Sequence, residues 1–252
     1  MDDLKGRVAL VTGSSRGIGA AIATLFASHG ARVAVHGRDD EAVRSITSRI
    51  EEAGGQALAT TGDVTQFGQI EAMRAVIEER LGPVDVLVAN AGGNPVRPGP
   101  MEDLTESDWR RTIDANLTAT FLTVKAFLPG MKERGRGAII TMSSAAARRP
   151  TVQSPIAYAA AKAGVEVLTK ELALQAGPAG VRVNCIAPET ILTERNQQQI
   201  PPDVQEQLRL AHPIRRLGRP DDVAEAALFL ACDRSGWLSG ITLDVAGGSV
   251  LA

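Results

Sequence analysis

Seven short runs rich in valine, isoleucine and leucine recur along the chain, and segments of helical length separate them. Several of these runs are almost continuously apolar, as expected of strands that are covered on both faces. This alternation predicts a parallel sheet with right-handed crossovers. The predicted strands are Arg7–Thr12, Ala31–His36, Gln56–Thr61, Val84–Ala89, Ala138–Met142, Val181–Ile186 and Ile241–Ala246.

The segments between the strands predict the helices, and no linker, repeat or low-complexity tract interrupts the pattern. We therefore expect one doubly wound α/β domain, of Rossmann type, over residues 1–252. The strand signal is missing from about 190 to 213, where we expect a lid over the substrate cleft. The predicted helices are Gly19–His29, Glu41–Ala53, Ile70–Leu81, Trp109–Met131, Ala157–Leu174 and Asp221–Ala231.

Composition excludes several classes of function. The 27 basic and 29 acidic residues give a net charge of −2, without the excess of cations that nucleic-acid binding needs. No apolar run is long enough for a membrane span, and we expect no secretory signal. Cys185 and Cys232 show no metal-ligand spacing, which favours a reducing, cytoplasmic setting. His29, His36 and His212 are scattered singly, so we expect packing or surface histidines and no metal site.

A glycine-rich turn follows the first predicted strand and begins a helix. The sequence from Thr12 to Gly19 is Thr-Gly-Ser-Ser-Arg-Gly-Ile-Gly. Glycines let the backbone approach a pyrophosphate, and the helix N-terminus offers free N–H donors. The spacing differs from the G-x-G-x-x-G fingerprint, and a tight connection is the alternative. We predict a dinucleotide phosphate site formed by Gly13, Ser15, Arg16, Gly17, Ile18 and Gly19.

The end of the second strand indicates which dinucleotide binds. NAD-binding proteins place an acid here to bond the ribose 2′-hydroxyl, but this chain reads His36-Gly37-Arg38. A guanidinium suits a 2′-phosphate, and Arg16 could reach the same group. We therefore predict NADP(H) as the cofactor. The alternative is that both arginines are surface charges and that Asp39 or Asp40 serves NAD.

The single tyrosine, Tyr158, lies four residues before Lys162 in an alanine-rich segment. In a helix these two positions share one face. A phenol has a pKa near ~10, and a nearby ammonium stabilises the phenolate, which suits proton transfer at neutral pH. Ser144 follows the fifth strand and could donate a hydrogen bond to a carbonyl oxygen. A serine nucleophile is the alternative, but the chain has no G-x-S-x-G elbow.

In combination, these motifs resemble the classical short-chain dehydrogenase/reductase family, and the resemblance covers nearly the whole chain. The matching pieces, in order, are Thr12-Gly13-x-x-x-Gly17-x-Gly19, Gly62-Asp63-Val64, Asn90-Ala91-Gly92, Asn116, Ser144, Tyr158-x-x-x-Lys162 and Val183-Asn184.

The resemblance implies a role for each matching residue. Tyr158 would be the general acid/base, Ser144 would polarise the substrate oxygen, and Lys162 would lower the tyrosine pKa and bond the nicotinamide ribose. The nicotinamide itself would carry the hydride. The family also implies a homotetramer, for which the helix around Ala157–Gly164 and the tail Ser249–Ala252 would suit packing between subunits, with ordinary core contacts as the alternative. The remaining implied residues are Asn116 on a relay water, Asp63 and Val64 at the adenine, Asn90 and Gly92 under the cofactor, and Pro188, Ile191 and Thr193 at the carboxamide and phosphates.

The chain departs from the family pattern at three places. Ala89 stands where the family commonly has an asparagine, and Glu189 stands where a glycine usually follows the proline. Fourteen positions separate Ser144 from Tyr158, one more than the family spacing, so we expect a bulged loop between them. The assignment of Ser144 over Ser143 depends on that loop.

Substrate identity stays open at the level of sequence. Arg148, Arg149 and Arg97 could favour an anionic substrate or an acidic carrier protein, or they could be solvated loop charges. We predict an oxidoreductase for a small ketone/secondary alcohol pair, similar to the 3-oxoacyl-carrier reductases. The alternatives are a sugar or other alcohol dehydrogenase that uses NAD, or a dinucleotide sensor without catalysis.

Overall fold

A computed structural model describes residues 3–96, 98–149 and 155–251. Within these ranges, seven strands form one parallel sheet in the order β3-β2-β1-β4-β5-β6-β7. The sheet is doubly wound, as predicted, because the chain starts at its centre and extends to each edge in turn. The strands are β1 Val8–Val11, β2 Arg32–Gly37, β3 Gln56–Thr61, β4 Val86–Ala89, β5 Gly137–Met142, β6 Val181–Pro188 and β7 Thr242–Val245.

Helices cover both faces of the sheet. One apolar layer joins the strands to α1, α2 and α10, and the other joins them to α3, α5 and the end of α7. Side chains of the central strand β1 are therefore fully buried on both faces. The helices are α1 Gly17–Ser28, α2 Asp40–Glu52, α3 Phe67–Arg80, α4 Glu106–Ile113, α5 Ala119–Glu133, α6 Ala145–Arg148, α7 Ile156–Ala176, α8 Glu194–Gln199, α9 Pro202–Ala211 and α10 Pro220–Ala231.

The helix predicted over Trp109–Met131 is interrupted. Between α4 and α5 the backbone widens into a π-helical turn, Asp114–Thr118. The Asn116 side-chain amide donates to the Thr112 carbonyl at 2.8 Å. This bond satisfies a backbone carbonyl near the π-helical turn, where the regular pattern of helical backbone hydrogen bonds is interrupted. Apolar periodicity alone could not predict the interruption.

The segment expected to be a lid contains two short helices, α8 and α9. Thr193 caps α8, since its hydroxyl oxygen accepts from the Asn196 N–H at 3.2 Å. Ile191 forms an isolated parallel bridge with Gly218, which fixes the start of the segment beside the end of β6. Movement of this segment as a lid stays a prediction.

Two further expectations concern packing and membranes. Cys185 and Cys232 are buried and unpaired, as expected of small apolar residues. In the described ranges, no helix combines the length and the apolar character that a membrane crossing requires.

Candidate active site

The glycine turn is locked against the end of β4. Gly13 has a φ of +67°, and a Cβ atom there would lie 2.9 Å from the Ala91 Cα. The Asn90 side-chain amide donates to the Thr12 carbonyl at 2.9 Å and to the Gly13 carbonyl at 3.2 Å. A Cβ on Gly19 would approach the same amide nitrogen to 2.6 Å. Larger side chains are therefore excluded at Gly13 and Gly19, and the turn has one defined shape.

The start of α1 faces the segment that follows β6. Arg16 precedes α1 and makes no side-chain cap, so the N–H groups of the first turn are not satisfied by a capping side chain. Gly17 has a φ of +57°, and a Cβ there would lie 3.2 Å from the Thr193 Cγ2. These features fit an anionic diphosphate between the turn and Thr193.

His36 connects the glycine turn to the end of β3, a role that the sequence did not indicate beyond packing. Its Nδ1 accepts from the Gly13 N–H at 3.2 Å, so Nε2 carries the hydrogen and donates to the Gly62 carbonyl at 3.2 Å. Burial lowers the pKa of His36 to about 4. The imidazole is therefore neutral at physiological pH, and its hydrogen bonds connect the ends of β1, β2 and β3.

The end of β2 has no space for the acid of an NAD site. A Cβ on Gly37 would be the first atom of a larger side chain, and it would lie 2.9 Å from both the Ser15 Oγ and the Val43 Cγ2. The next acid along the chain, Asp39, caps α2 by accepting from the Ala42 N–H at 3.2 Å. It also pairs with Arg16 at 2.8 Å. Its carboxylate therefore already has two partners.

Arg38 lines an open groove of about 680 Å³ together with Asp63, Thr65 and residues of α4. The Asp63 carboxylate accepts from the Thr65 N–H at 2.9 Å and from its hydroxyl at 2.8 Å. These bonds, with the charge of Arg38, hold the pKa of Asp63 below its usual range. Val64 beside it is buried. Asp63, predicted at the adenine, and Arg38, predicted at the 2′-phosphate, thus share one groove.

Ser144, Tyr158 and Lys162 meet beyond the carboxyl end of β5. Tyr158 and Lys162 lie one turn apart on α7, with the Lys162 Nζ 5.5 Å from the centre of the tyrosine ring. Lys162 is 4% exposed, and its Nζ donates to the Met142 carbonyl at 2.8 Å. Burial lowers the pKa of Lys162 to about 8, so the ammonium is still the main form at pH 7.

Burial raises the pKa of Tyr158, and a hydrogen bond with the Ser144 side chain acts in the opposite direction. A bond that favours the phenolate is one in which the Ser144 hydroxyl donates to the phenol oxygen. The expected effect of Lys162 on this pKa stays a prediction. The three side chains nevertheless place a phenol, a hydroxyl and an ammonium close together at a partly buried position. These are groups that can transfer a proton to an oxygen atom.

The neighbouring Ser143 makes different contacts. It is buried, and its Oγ lies 2.8 Å from the Glu166 carboxylate and 3.1 Å from the Lys162 carbonyl. Ser144 instead caps α6 and reaches Tyr158. This geometry supports the choice of Ser144. The short helix α6 takes up part of the longer loop, and residues 150–154 lie outside the described ranges.

Asn116 and Gly92 form the opposite wall of this corner. Asn116 is fully buried, and its amide donates to the Gly93 carbonyl at 2.8 Å while its oxygen accepts from the Gly93 N–H at 3.1 Å. A Cβ on Gly92 would lie 2.7 Å from the Asn116 Oδ1 and 3.5 Å from the Lys162 Nζ. Asn116 therefore fixes the loop after β4 beside Lys162, and its relay water stays a prediction.

The arginines of the predicted substrate loop are engaged within the protein. Arg148 lies 3.6 Å from the Glu166 carboxylate and 3.3 Å from that of Asp244, with its side chain only 24% exposed. The Arg149 guanidinium donates to the Ser249 carbonyl at 2.6 Å. Arg148 thus differs from both sequence-based readings, because it is neither solvated nor free for an anionic substrate. Arg97 lies outside the described residues.

A family model described as enoyl-(acyl carrier protein) reductase matches residues 13–249 of the chain. The 7alpha-hydroxysteroid dehydrogenase of Escherichia coli strain K12 is 37% identical over 247 residues, which are 98% of this chain and 95% of that protein. A solved structure of 7alpha-hydroxysteroid dehydrogenase complexed with NADH and 7-oxo glycochenodeoxycholic acid has a TM-score of 0.94 and 37% identity, covering 100% of this chain and 98% of that one.

Two further solved structures are also similar to this chain. A 3-oxoacyl-[acyl-carrier protein] reductase from Brucella melitensis has a TM-score of 0.94 and 34% identity, covering 100% of this chain and 94% of its own. A gluconate 5-dehydrogenase from Burkholderia cenocepacia, in complex with NADP and tartrate, has a TM-score of 0.91 and 32% identity, covering 98% and 97%. The match along the whole length, the fold and the shared motifs give one conclusion: the chain belongs to the classical short-chain dehydrogenase/reductase family.

Proposed function

We propose that the protein is an NADP(H)-dependent oxidoreductase that interconverts a ketone and a secondary alcohol, with Tyr158 as the general acid/base. The observation that carries this proposal is the meeting of Tyr158, Ser144 and Lys162 beyond the end of β5, on the side of the sheet where the glycine turn also lies. In open α/β sheets, ligands bind at this edge.

The residues of the proposed cofactor site fit a dinucleotide. The turn from Gly13 to Gly19 provides a narrow cradle, and the start of α1 supplies donors for a diphosphate. A bound nicotinamide would supply or accept the hydride. Lys162 and Asn116 border the loop at Gly92 and would hold the ribose and a relay water.

The preference for NADP(H) rests on the end of β2. Gly37 leaves no space for an acid, Asp39 is already bonded twice, and Arg38 lines the groove beside Asp63. A guanidinium there would pair with a 2′-phosphate. The related structures include complexes with NADH and with NADP, so the comparisons do not choose between the two cofactors. The proposed preference therefore depends on the residues of this chain.

In the direction of reduction, the Tyr158 hydroxyl would donate its proton to the substrate oxygen. The Ser144 hydroxyl would hold that oxygen and stabilise its developing negative charge. The Lys162 ammonium would stabilise the phenolate that remains, an interaction strengthened by the burial of Lys162. In the reverse direction the phenolate would take the proton from the alcohol.

The substrate class is proposed from the family and not from a cavity. A cavity of about 320 Å³ is lined by Val96, Leu104, Asp108 and Ala157 among others, but not by Ser144, Tyr158 or Lys162. We propose a ketone or secondary alcohol as the substrate. A 3-oxoacyl thioester is one such molecule, and a sugar or another alcohol oxidised with NAD is the second candidate, since relatives act on steroid, oxoacyl and gluconate substrates.

We also propose a cytoplasmic homotetramer without a nucleic-acid or membrane partner. Apolar side chains on α5 and α7 are exposed, with Phe121 at 46%, Val167 at 59% and Leu174 at 75%. An exposed apolar face of this kind favours association with further copies. Of the predicted packing surfaces, Ala157–Gly164 lies on α7 and Ala252 lies outside the described residues.

A panel of ketones and secondary alcohols, each assayed with NADPH, NADH and their oxidised forms, tests the proposed function. We expect turnover of at least one pair, with NADP(H) favoured over NAD(H). Binding of NADPH without turnover across a broad panel would favour a dinucleotide sensor instead. Faster turnover and tighter cofactor binding with NAD(H) than with NADP(H) would contradict the cofactor assignment.

A further inference from the structure

Glu189, which replaces the usual glycine of the family, contacts a buried histidine. Its Oε2 lies 2.5 Å from the Nε2 of His212, and the other ring nitrogen, Nδ1, lies 2.6 Å from the Leu208 carbonyl. His212 is 3% exposed, and the Glu189 side chain is 19% exposed. The same Glu189 oxygen also accepts from the Thr190 N–H.

The Glu189 carboxylate and the His212 imidazole form a hydrogen-bonded pair. The Leu208 carbonyl lies within hydrogen-bond distance of the other ring nitrogen, so both nitrogens of the buried ring have a polar neighbour. A hydrogen bond to a carboxylate is stronger than one between neutral groups.

The pair joins three parts of the chain. Glu189 directly follows β6, and its N–H donates to the Val245 carbonyl of β7 at 3.2 Å. His212 ends α9, and its ring packs against Gly247, where a Cβ would lie 3.3 Å from the Cδ2. The Ile214 N–H donates to the Gly247 carbonyl at 3.0 Å. Glu189 and His212 thus fasten both ends of the segment 190–211 to the sheet.

The same segment leads from Glu189 to the proposed phosphate cradle. The Gly218 N–H donates to the Thr190 carbonyl at 3.1 Å, and the Leu192 N–H donates to the Gly218 carbonyl at 2.8 Å. Thr193 then lies against Gly17. Residues 190–193, which lie beside the glycine turn, thus directly follow Glu189 and are also bonded to Gly218.

We propose that Glu189 and His212 are positioning residues, whose mutual hydrogen bond holds residues 190–193 and the helices α8 and α9 in the place that a bound dinucleotide requires. The inference rests on the proposed function for its ligand.

The other charged groups on the elements packed around His212 have partners of their own. Arg209 of α9 pairs with Glu206, and Arg216 pairs with Asp222. Arg215 donates to the Leu210 carbonyl, and Arg149 donates to the Ser249 carbonyl near Gly247. Asp244 of β7 lies beside Arg148. Among these groups, Glu189 is the one in contact with the imidazole.

The test uses Glu189→Gln and His212→Gln, with His29→Gln as the matched control. His29 forms a separate histidine–carboxylate pair, with Asp3 at 2.9 Å. Hydrogen–deuterium exchange without cofactor reports on residues 190–211, and calorimetric titration with NADPH gives the dissociation constant. We expect exchange about tenfold faster and NADPH binding about tenfold weaker in both variants, and changes below about twofold in the control.

Kinetics separate positioning of the cofactor from a general loss of structure. In both variants the KM for NADPH should rise about tenfold while kcat stays within about twofold. A fall in kcat with an unchanged KM for NADPH would overturn the inference.

Two other results discriminate the inference from the proposed function. NADPH binding by the natural chain, with unchanged exchange and affinity in both variants, would overturn the inference alone. Failure of the natural chain to bind any nicotinamide dinucleotide would overturn the proposed function. If a glutamine variant does not fold, it is replaced by Glu189→Gly, which restores the family's usual residue. We expect the same faster exchange of residues 190–211 in that variant.

Discussion

The two ends of the proposed site differ in burial. Lys162 is buried and bonds to the backbone of β5, and Tyr158 and Ser144 beside it are half-buried. Around Arg38 and Asp39 the charges lie at the surface, beside an open groove. Electrostatic interactions are strong in the buried end and screened at the open edge. The proposed chemistry therefore depends on a few fixed side chains. The proposed choice of cofactor depends on weaker interactions of exposed charged residues, which can be substituted without disturbing the fold.

Replacing Lys162 with methionine tests the buried end and carries the largest expected effect. The turnover rate should fall by about a thousandfold, within the range attributed to general acid–base catalysis. Loss of the ammonium should raise the pKa of Tyr158 further, and the rate of alcohol oxidation should then reach half its maximum at a higher pH. Profiles of rate against pH measure both effects. Lys170→Met, an exposed lysine on the same helix, is the control and should behave as the natural enzyme.

His36 lies between the two ends, and its replacement with glutamine should have an intermediate effect. Burial lowers the pKa of His36 to about 4 from 6.5, so the unfolded chain binds this proton first as pH falls. The natural protein should lose about 3 kcal/mol of unfolding free energy between pH 6.5 and pH 4 that His36→Gln does not lose. Chemical denaturation at a series of pH values measures this difference. Equal losses in the two proteins would contradict the assignment of a neutral, bridging imidazole.

Arg38→Asp tests the exposed edge and carries the smallest expected effect. NADPH should bind about tenfold more weakly, and NADH binding should change little or improve. The loss should also shrink at high salt, since the groove is open to solvent. Titrations at low and high ionic strength measure it, with Arg49→Asp on the exposed face of α2 as the control. An unchanged preference would show that the exposed edge does not select the cofactor.

The sequence predicted those parts of the molecule that depend on local pattern. The strands, the glycine turn and the adjacency of Tyr158 and Lys162 follow from periodicity and short spacing, and the structure has each of them. Ser144 was identified because serine follows a strand that ends at the ligand-binding edge of the sheet.

The remaining features join distant parts of the chain. His36 bridges to Gly62, and Glu189 bonds to His212, across 26 and 23 positions respectively. Arg148 reaches Asp244 at the far edge strand. Such pairs depend on how the strands are ordered, and no local pattern in a single sequence specifies their partners. Glu189 in place of the family's usual glycine indicates from the sequence that this loop differs. It does not indicate that His212 is the residue that Glu189 contacts.

Tyr158→Phe tests the central claim most directly, since it removes one oxygen atom and every tyrosine of the chain. The measurement is turnover of a substrate identified in the panel, with the NADPH dissociation constant determined on the same protein. We predict that turnover falls by at least about a thousandfold while NADPH binding stays within about twofold. Turnover within about tenfold of the natural enzyme would contradict the assignment of Tyr158 as the general acid/base.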